Sequence, residues 1–139
     1  MNQYFATVEI ATRGPGLYGF TDRAVRKLAE TQLQDGLLTC FVRHTSASLL
    51  IQENADPDVL SDLESFMRRI VSRDPKLYRH TTEGPDDMPS HIRSALTAVS
   101  ISVPFRAGQV LLGTWQGLFL FEHRDAPHKR EILLHAIGA

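Results

Sequence analysis

The stretch from Gly36 to Asn54, GLLTCFVRHTSASLLIQEN, constrains this chain more than any other. Leu37 to Val42 is apolar at nearly every position, which asks for burial on both faces and predicts a central strand. The apolar run stops at His44, where Thr45, Ser46 and Ser48 supply hydroxyls before Leu49 to Ile51 resume it. Glu53 and Asn54 close the second segment with groups that can accept protons or bind ions. A buried scaffold that delivers polar side chains to one rim is a common way to build a site.

Composition sets the bounds around that stretch. With 139 residues, 42% apolar and 22% charged, residues 1–139 form one domain of a size that buries about two thirds of its unfolded surface. The formal charge of -1 and pI near 6.6 give no global field toward nucleic acid or an anionic membrane, so any phosphate binding has to be local. Cys40 is the only cysteine and lies inside the apolar strand, which predicts a small buried hydrophobe and allows no intrachain disulfide. Neither a basic leader with an apolar stretch nor a run of roughly 18 apolar residues is present, so the expectation is a soluble cytoplasmic protein with no membrane contact.

Gln3 to Thr12 alternates as a strand, with Tyr4, Ala6, Val8 and Ile10 on one face. The glycines of Gly14-Pro15-Gly16-Leu17-Tyr18-Gly19 spell the outline of a dinucleotide loop, but the helix begins too late and Asp35 falls in a turn. They read as a connector. Thr21 predicts an N-cap, with Val25, Leu28, Ala29 and Leu33 forming the apolar face of a helix reaching about Gln34. Asp56-Pro57 predicts the start of a second helix whose face is Val59, Leu60, Leu63, Phe66, Met67, Ile70 and Val71.

Residues 74–89 have no sustained period and read as a long loop, a length that compact domains reserve mostly for function. A third helix from about Pro89 or Ser90 to Val99 would put His91 in its first turn, where the dipole disfavours imidazolium. Strands are expected at 100–104, 109–112, 118–123 and 130–137. Between the middle two, Trp115 and Gln116 sit among glycines, either as a packed turn or as a floor for a planar ligand. Three helices and about seven strands without regular alternation predict an α+β domain with a mostly antiparallel sheet.

Of six histidines, His44, His80 and His91 stand beside polar residues at element boundaries or in the long loop. No zinc-protease, cysteine-pair or calcium-loop spacing occurs, so a metal site depends on those three rings converging with Glu53, Asp86 or Asp87. His123 reads as a fourth site group or an ion-paired rim residue, while His128 and His135 are given no role. The grouping of Ser46 and Ser48 with His44 lacks a nucleophile elbow, and the hydroxyls read as anion ligands or turn residues.

His44-Thr45-Ser46-Ala47-Ser48, Glu53-Asn54, His80, Asp86-Asp87-Met88-Pro89-Ser90-His91, Gly113-Thr114-Trp115-Gln116 and Glu122-His123-Arg124 together resemble the YjbQ family in order and spacing over essentially the whole chain. The resemblance implies an α+β homotrimer with a thiamine-phosphate synthase activity described as secondary. It matches His44, His80 and His91 to the family's recurrent histidines, Glu53 and Asn54 to its acidic-amide pair, and Trp115 and Gln116 to its tryptophan-glutamine pair. The family's proline-arginine-x-arginine ending stands here as Pro127-His128-Lys129-Arg130. The expected site is a divalent metal, zinc or magnesium, on His44, His80 and His91. Arg124, Arg130, Ser46, Ser48 and Asn54 would hold a small phosphorylated substrate, Trp115 would stack on a ring and Gln116 would read its edge. A metal-dependent hydrolase with Glu53 as base, or a small-anion-binding protein, are the alternatives.

Overall fold

In the computed structural model, which describes residues 1–139, the first strand β1 (Asn2–Thr12) alternates as expected and buries Val8, Ile10 and Thr12. A four-residue strand, β2 (Gly16–Gly19), replaces the expected plain connector. It is short and glycine-rich, so only its pairing with a distant strand defines it. Helix α1 (Thr21–Glu30) is capped by Phe20, and the Thr21 hydroxyl instead accepts the Leu118 N–H at 2.9 Å. The helix stops before Gln34 because the chain turns at Gln32, whose φ is 60°. Ala24, not Ala29, completes the buried stripe with Leu28.

Strands β3 (Gly36–Val42) and β4 (Ala47–Glu53) follow. They enter different sheets. Helix α2 (Pro57–Ile70) begins where Asp56-Pro57 predicts, with the Asp56 carboxylate accepting the Asp58 N–H at 2.9 Å. A 3-10 turn at Pro75–Leu77 then shortens the long loop. Helix α3 (Asp87–Leu96) starts earlier and ends earlier than periodicity suggests, because Pro89 sits inside its first turn, where its missing N–H has no partner to lose. Strands β5 (Ser100–Arg106), β6 (Gln109–Val110), β7 (Gln116–Glu122) and β8 (His128–Gly138) complete the chain. Ala107 (φ 51°) and Gly108 (φ 73°) make the tight turn between β5 and β6.

The expected α+β class holds, with eight strands in two wholly antiparallel sheets. The larger runs β1-β8-β3-β5-β6 and the smaller β2-β7-β4. The main core lies between the inner face of the larger sheet, α1 and one face of the smaller sheet, joining Leu38, Cys40 and Val42 to Leu28, Leu49 and Leu120. Burial pushes the Cys40 thiol up to about 12, so it is an inert packing group. Gly36 is required where β3 crosses the chain end, since a Cβ there would lie 2.1 Å from the Ile137 carbonyl oxygen.

One expectation is corrected. β3 is central, paired with both β8 and β5, but only one of its faces is covered within the chain. Leu37 (39% exposed) and Phe41 (42%) project outward beside Phe5 (67%). The polar segment between β3 and β4, residues 43–46, is where the chain crosses from one sheet to the other, which explains why it breaks the apolar run.

Candidate functional site

The loop before α3 and the helix itself bring four ligand-type groups together. His80, Glu83, Asp87 and His91 offer one donor atom each within 4.8 Å of one another. Asp87 and His91 are four apart, so they share a helix face. His80 Nε2 lies 2.6 Å and His91 Nε2 3.1 Å from the same Asp87 oxygen, Oδ2, and Glu83 Oε2 lies 3.5 Å from His80 Nε2. Asp87 is 2% exposed, and its other oxygen accepts Arg124 Nη1–H at 2.6 Å. Burial alone would raise its carboxyl; the His80 and Glu83 contacts and the His91 and Arg124 charges outweigh that and hold it below the usual range.

His91 also has a fixed orientation. Its Nδ1 lies 2.9 Å from the Thr45 carbonyl oxygen, which can only accept, so Nδ1 carries a proton. In the neutral ring the Nε2 lone pair then faces a carboxylate oxygen. Two acceptors at that distance need a cation between them, either a second proton or a metal ion. A ring donating one N–H to a backbone carbonyl while its other nitrogen faces a ligand position is the usual arrangement of a metal-bound imidazole. Two imidazoles with one or two carboxylates suit zinc, whereas magnesium prefers an all-oxygen set. The cluster could therefore hold a metal ion.

The other expected site residues lie elsewhere. His44 is not in the cluster: its Nε2 accepts the Glu131 N–H at 3.0 Å, which uses the lone pair a metal would need. Burial, then the Arg130 charge, lowers its pKa. Arg130 and Ser46 do not face a ligand. Arg130 is 4% exposed, donates Nε–H to Glu122 Oε1 at 2.8 Å and Nη2–H to Ser46 Oγ at 2.9 Å, and Glu122 also accepts from Thr12 at 2.6 Å. Ser48 is wholly buried and pairs with His123 Nε2 at 2.9 Å. His123 is itself buried, its pKa pushed down to about 3 by burial and the Arg93 charge, so it is a neutral core residue under α3. Arg124 clamps Asp86 and Asp87 rather than a substrate.

His91 sits one full turn into α3, beyond the first turn expected for it, and Asp87 occupies the helix start. Glu53, Asn54, Trp115 and Gln116 form a separate rim. Asn54 donates to the Thr114 and Gln116 carbonyls, Glu53 accepts the Ala55 N–H, and Gln116 accepts the Gly113 N–H, while Trp115 is 65% exposed. That rim is at the start of β7 and the histidine cluster packs against its end, about 20 Å away at roughly 3.3 Å per strand residue. Sequence reading put Asp87 beside Asp86 and Glu53 among the carboxylates open to the rings without singling it out, and it missed Glu83. The i, i+4 spacing of Asp87 and His91 is the signal that could have singled Asp87 out.

The family model described as "UPF0047 protein YjbQ-like" matches residues 6–139. The chain belongs to the YjbQ family. It is 52% identical over 136 residues to the UPF0047 protein sll1880 of Synechocystis, covering 98% of this chain and 92% of that one. Identity to the UPF0047 protein YjbQ of Escherichia coli O157:H7 is 40% over 131 residues, 94% of each chain. Among solved structures, a conserved hypothetical protein of Thermus thermophilus superposes with a TM-score of 0.84 at 31% identity, covering 95% of this chain and 99% of that one. A YbjQ-like protein of unknown function from Sulfolobus solfataricus shares the fold, with a TM-score of 0.91 at 20% identity and 99% coverage of both. The YjbQ fold thus accounts for all eight strands and three helices of this chain, none of whose helices is long and apolar enough to cross a membrane.

Proposed function

We propose that this chain is a metal-dependent enzyme acting on small phosphorylated substrates, with the slow thiamine-phosphate synthase reaction that its family resemblance implies: joining hydroxymethylpyrimidine diphosphate to thiazole phosphate with release of pyrophosphate. The contact that carries this reading is His91 Nε2 against Asp87 Oδ2, two acceptors at 3.1 Å with the ring proton committed to Thr45. A divalent ion of the zinc class, held by His80, Asp87 and His91 with Glu83 at the open side, would supply positive charge for a departing pyrophosphate. Arg124 keeps both carboxylates aimed, with Asp86 as its second partner.

Trp115 is too far along β7 to stack on a ring held at the histidine cluster of its own chain. In this reading a neighbouring copy brings it, within a homotrimer built on the uncovered face of the larger sheet around Phe5, Leu37 and Phe41. The wild-type protein should sediment at three times the 15.6 kDa chain mass. Phe41→Glu should sediment as a monomer with unchanged circular dichroism; an unaltered trimer would remove this face from the interface.

A second reading, a hydrolase of one phosphorylated metabolite, is favoured by the exposed carboxylate of Glu83 beside the cluster, which stands where Glu53 was expected to act as base. A pyrophosphate-release assay separates the readings. The synthase reading expects release only with both half-substrates present, abolished by a chelator and restored by zinc. Release from one substrate alone would favour the hydrolase, and phosphate binding without turnover would leave a cytoplasmic anion-binding protein.

A further inference from the structure

Two short segments outside the strands carry the outer contacts of the histidine cluster. Thr45 and Ser46 lie between Val42 of β3 and Ala47 of β4, on the rim that joins His44 to the cluster, and the Thr45 carbonyl takes the His91 Nδ1–H. His123 and Arg124 follow Glu122, the last residue of β7, and the Arg124 guanidinium grips the inner oxygen of Asp87. Strand pairing reaches neither segment. What holds them is one buried ion pair. Glu122 Oε2 accepts the His123 N–H at 3.0 Å and the Arg124 N–H at 3.3 Å, which sets the backbone from which Arg124 reaches Asp86 and Asp87. Arg130 donates to both Glu122 oxygens, and its Nη2 also donates to Ser46 Oγ at 2.9 Å and to the Ser46 carbonyl at 3.3 Å. That carbonyl takes the His123 N–H as well, at 3.3 Å, so the two segments are tied to each other.

The Thr45 carbonyl and the Ser46 Cα share one planar peptide, so holding Ser46 by both of its oxygens limits where the carbonyl that receives His91 can point. Stability alone does not account for such a pair. Apolar side chains of the same volume are often as stable as a buried ion pair, and they make no hydrogen bonds to neighbouring segments. Here the bonds leaving the pair lead to both sides of the cluster, to His91 through Ser46 and to Asp87 through Arg124.

We propose that the buried Glu122–Arg130 pair is the positioning element of the histidine cluster, with Ser46 as the residue that passes its geometry to His91. None of the three touches the place a cation would occupy. The inference deepens the metal reading and rests on it for the effect on metal binding. Its effect on the His91 hydrogen bond holds with or without an ion.

The test compares two hydroxyl deletions in the full chain. Ser46→Ala removes the bond from Arg130 to the Ser46 side chain and leaves the ion pair in place. Thr12→Val strips the same pair of a different bond, since the Thr12 hydroxyl donates to Glu122 Oε1 at 2.6 Å and accepts the His128 N–H, bonding to neither segment. Thr12→Val should lower the melting temperature at least as much as Ser46→Ala. In chelator-treated protein, exchange of the His91 Nδ1 proton, followed by NMR, should quicken about tenfold in Ser46→Ala and stay within about twofold of wild type in Thr12→Val. The zinc dissociation constant, read by competition with a chelating dye, should rise about tenfold in Ser46→Ala alone, the lower end of what the loss of a supporting group costs. A His91 proton unmoved by Ser46→Ala would overturn the proposal whatever zinc does, and so would effects that follow the melting temperature and are as large in Thr12→Val. A wild-type chain that binds no zinc would end the metal reading, while the proton comparison would still decide the positioning role. Should Thr12→Val fail to fold, Ser94→Ala takes its place, because it loses a buried hydroxyl bond to the Ala47 carbonyl off the path to Thr45.

Discussion

Replacing Arg130 with methionine should cost about 3–5 kcal/mol of unfolding free energy at neutral pH, the usual loss when one partner of a buried ion pair is removed. For a chain of this length that lowers the melting temperature by roughly 10 °C or more. Glu122 is fully buried, and its carboxylate takes hydrogen bonds from Arg130, Thr12 and backbone N–H groups. Burial would raise its pKa, but the Arg130 and Thr12 bonds and the Arg130 charge outweigh that and hold it below the usual range. A depressed carboxyl adds stability that is complete above its unfolded value, about 4.3, and is lost as pH falls through the folded one. Without Arg130 the same carboxyl rises, so the variant's deficit should be largest at pH 7 and shrink toward pH 4. Urea unfolding at both values checks this. A loss under about 1 kcal/mol at pH 7 would mean that water reaches the pair. His123 pulls the wild type in the same direction: held neutral down to about 3, it opposes the proton that the unfolded chain takes up below about 6.5, so stability falls with acidity across that window.

That pair also shows where sequence reading stops. Helix α2 was legible because its start is local chemistry, an aspartate cap followed by proline, and β5 to β8 were legible because alternation and turn residues act over a few positions. Arg130 read as a phosphate ligand because its partner, Glu122, is eight residues away on another sheet, and no periodicity reports such a contact. The division into two sheets was hidden for a related reason: a two-residue period says that β3 and β4 are strands, not that the chain crosses layers between them. β2 was hidden by its glycines. The convergence of His80 with His91 was read correctly as a possibility, but His44 was grouped with them by residue type. Its exclusion depends on a backbone amide of β8 that only the folded chain supplies. Asp87 was named only as one of three carboxylates open to the rings, because a helix read from about Pro89 or Ser90 left it in the loop instead of one turn below His91.

Asp87→Asn should reduce metal affinity by more than about hundredfold, since even the loss of a group supporting a ligand costs ten- to hundredfold. The amide keeps the volume and can still offer one oxygen, but it brings no charge to bind a cation or to balance Arg124 on its inner side. Asp86 still pairs with Arg124 and with the Asp125 N–H, so the loop before α3 should keep its course. The apo variant should therefore lose only about 1–3 kcal/mol, the cost of weakened buried hydrogen bonds. Metal-dependent stabilisation separates the site from the scaffold. Zinc at a hundred times its dissociation constant should stabilise the wild type by about 2.7 kcal/mol and leave the variant's melting temperature where it was. His91→Ala should behave in the same way, whereas His44→Ala should keep the full zinc response because its ring lone pair is already used by Glu131. A zinc response that vanishes with His44→Ala and survives Asp87→Asn would move the ion to the other end of the rim, and the acceptor contact between His91 and Asp87 would then have to be bridged by a proton alone.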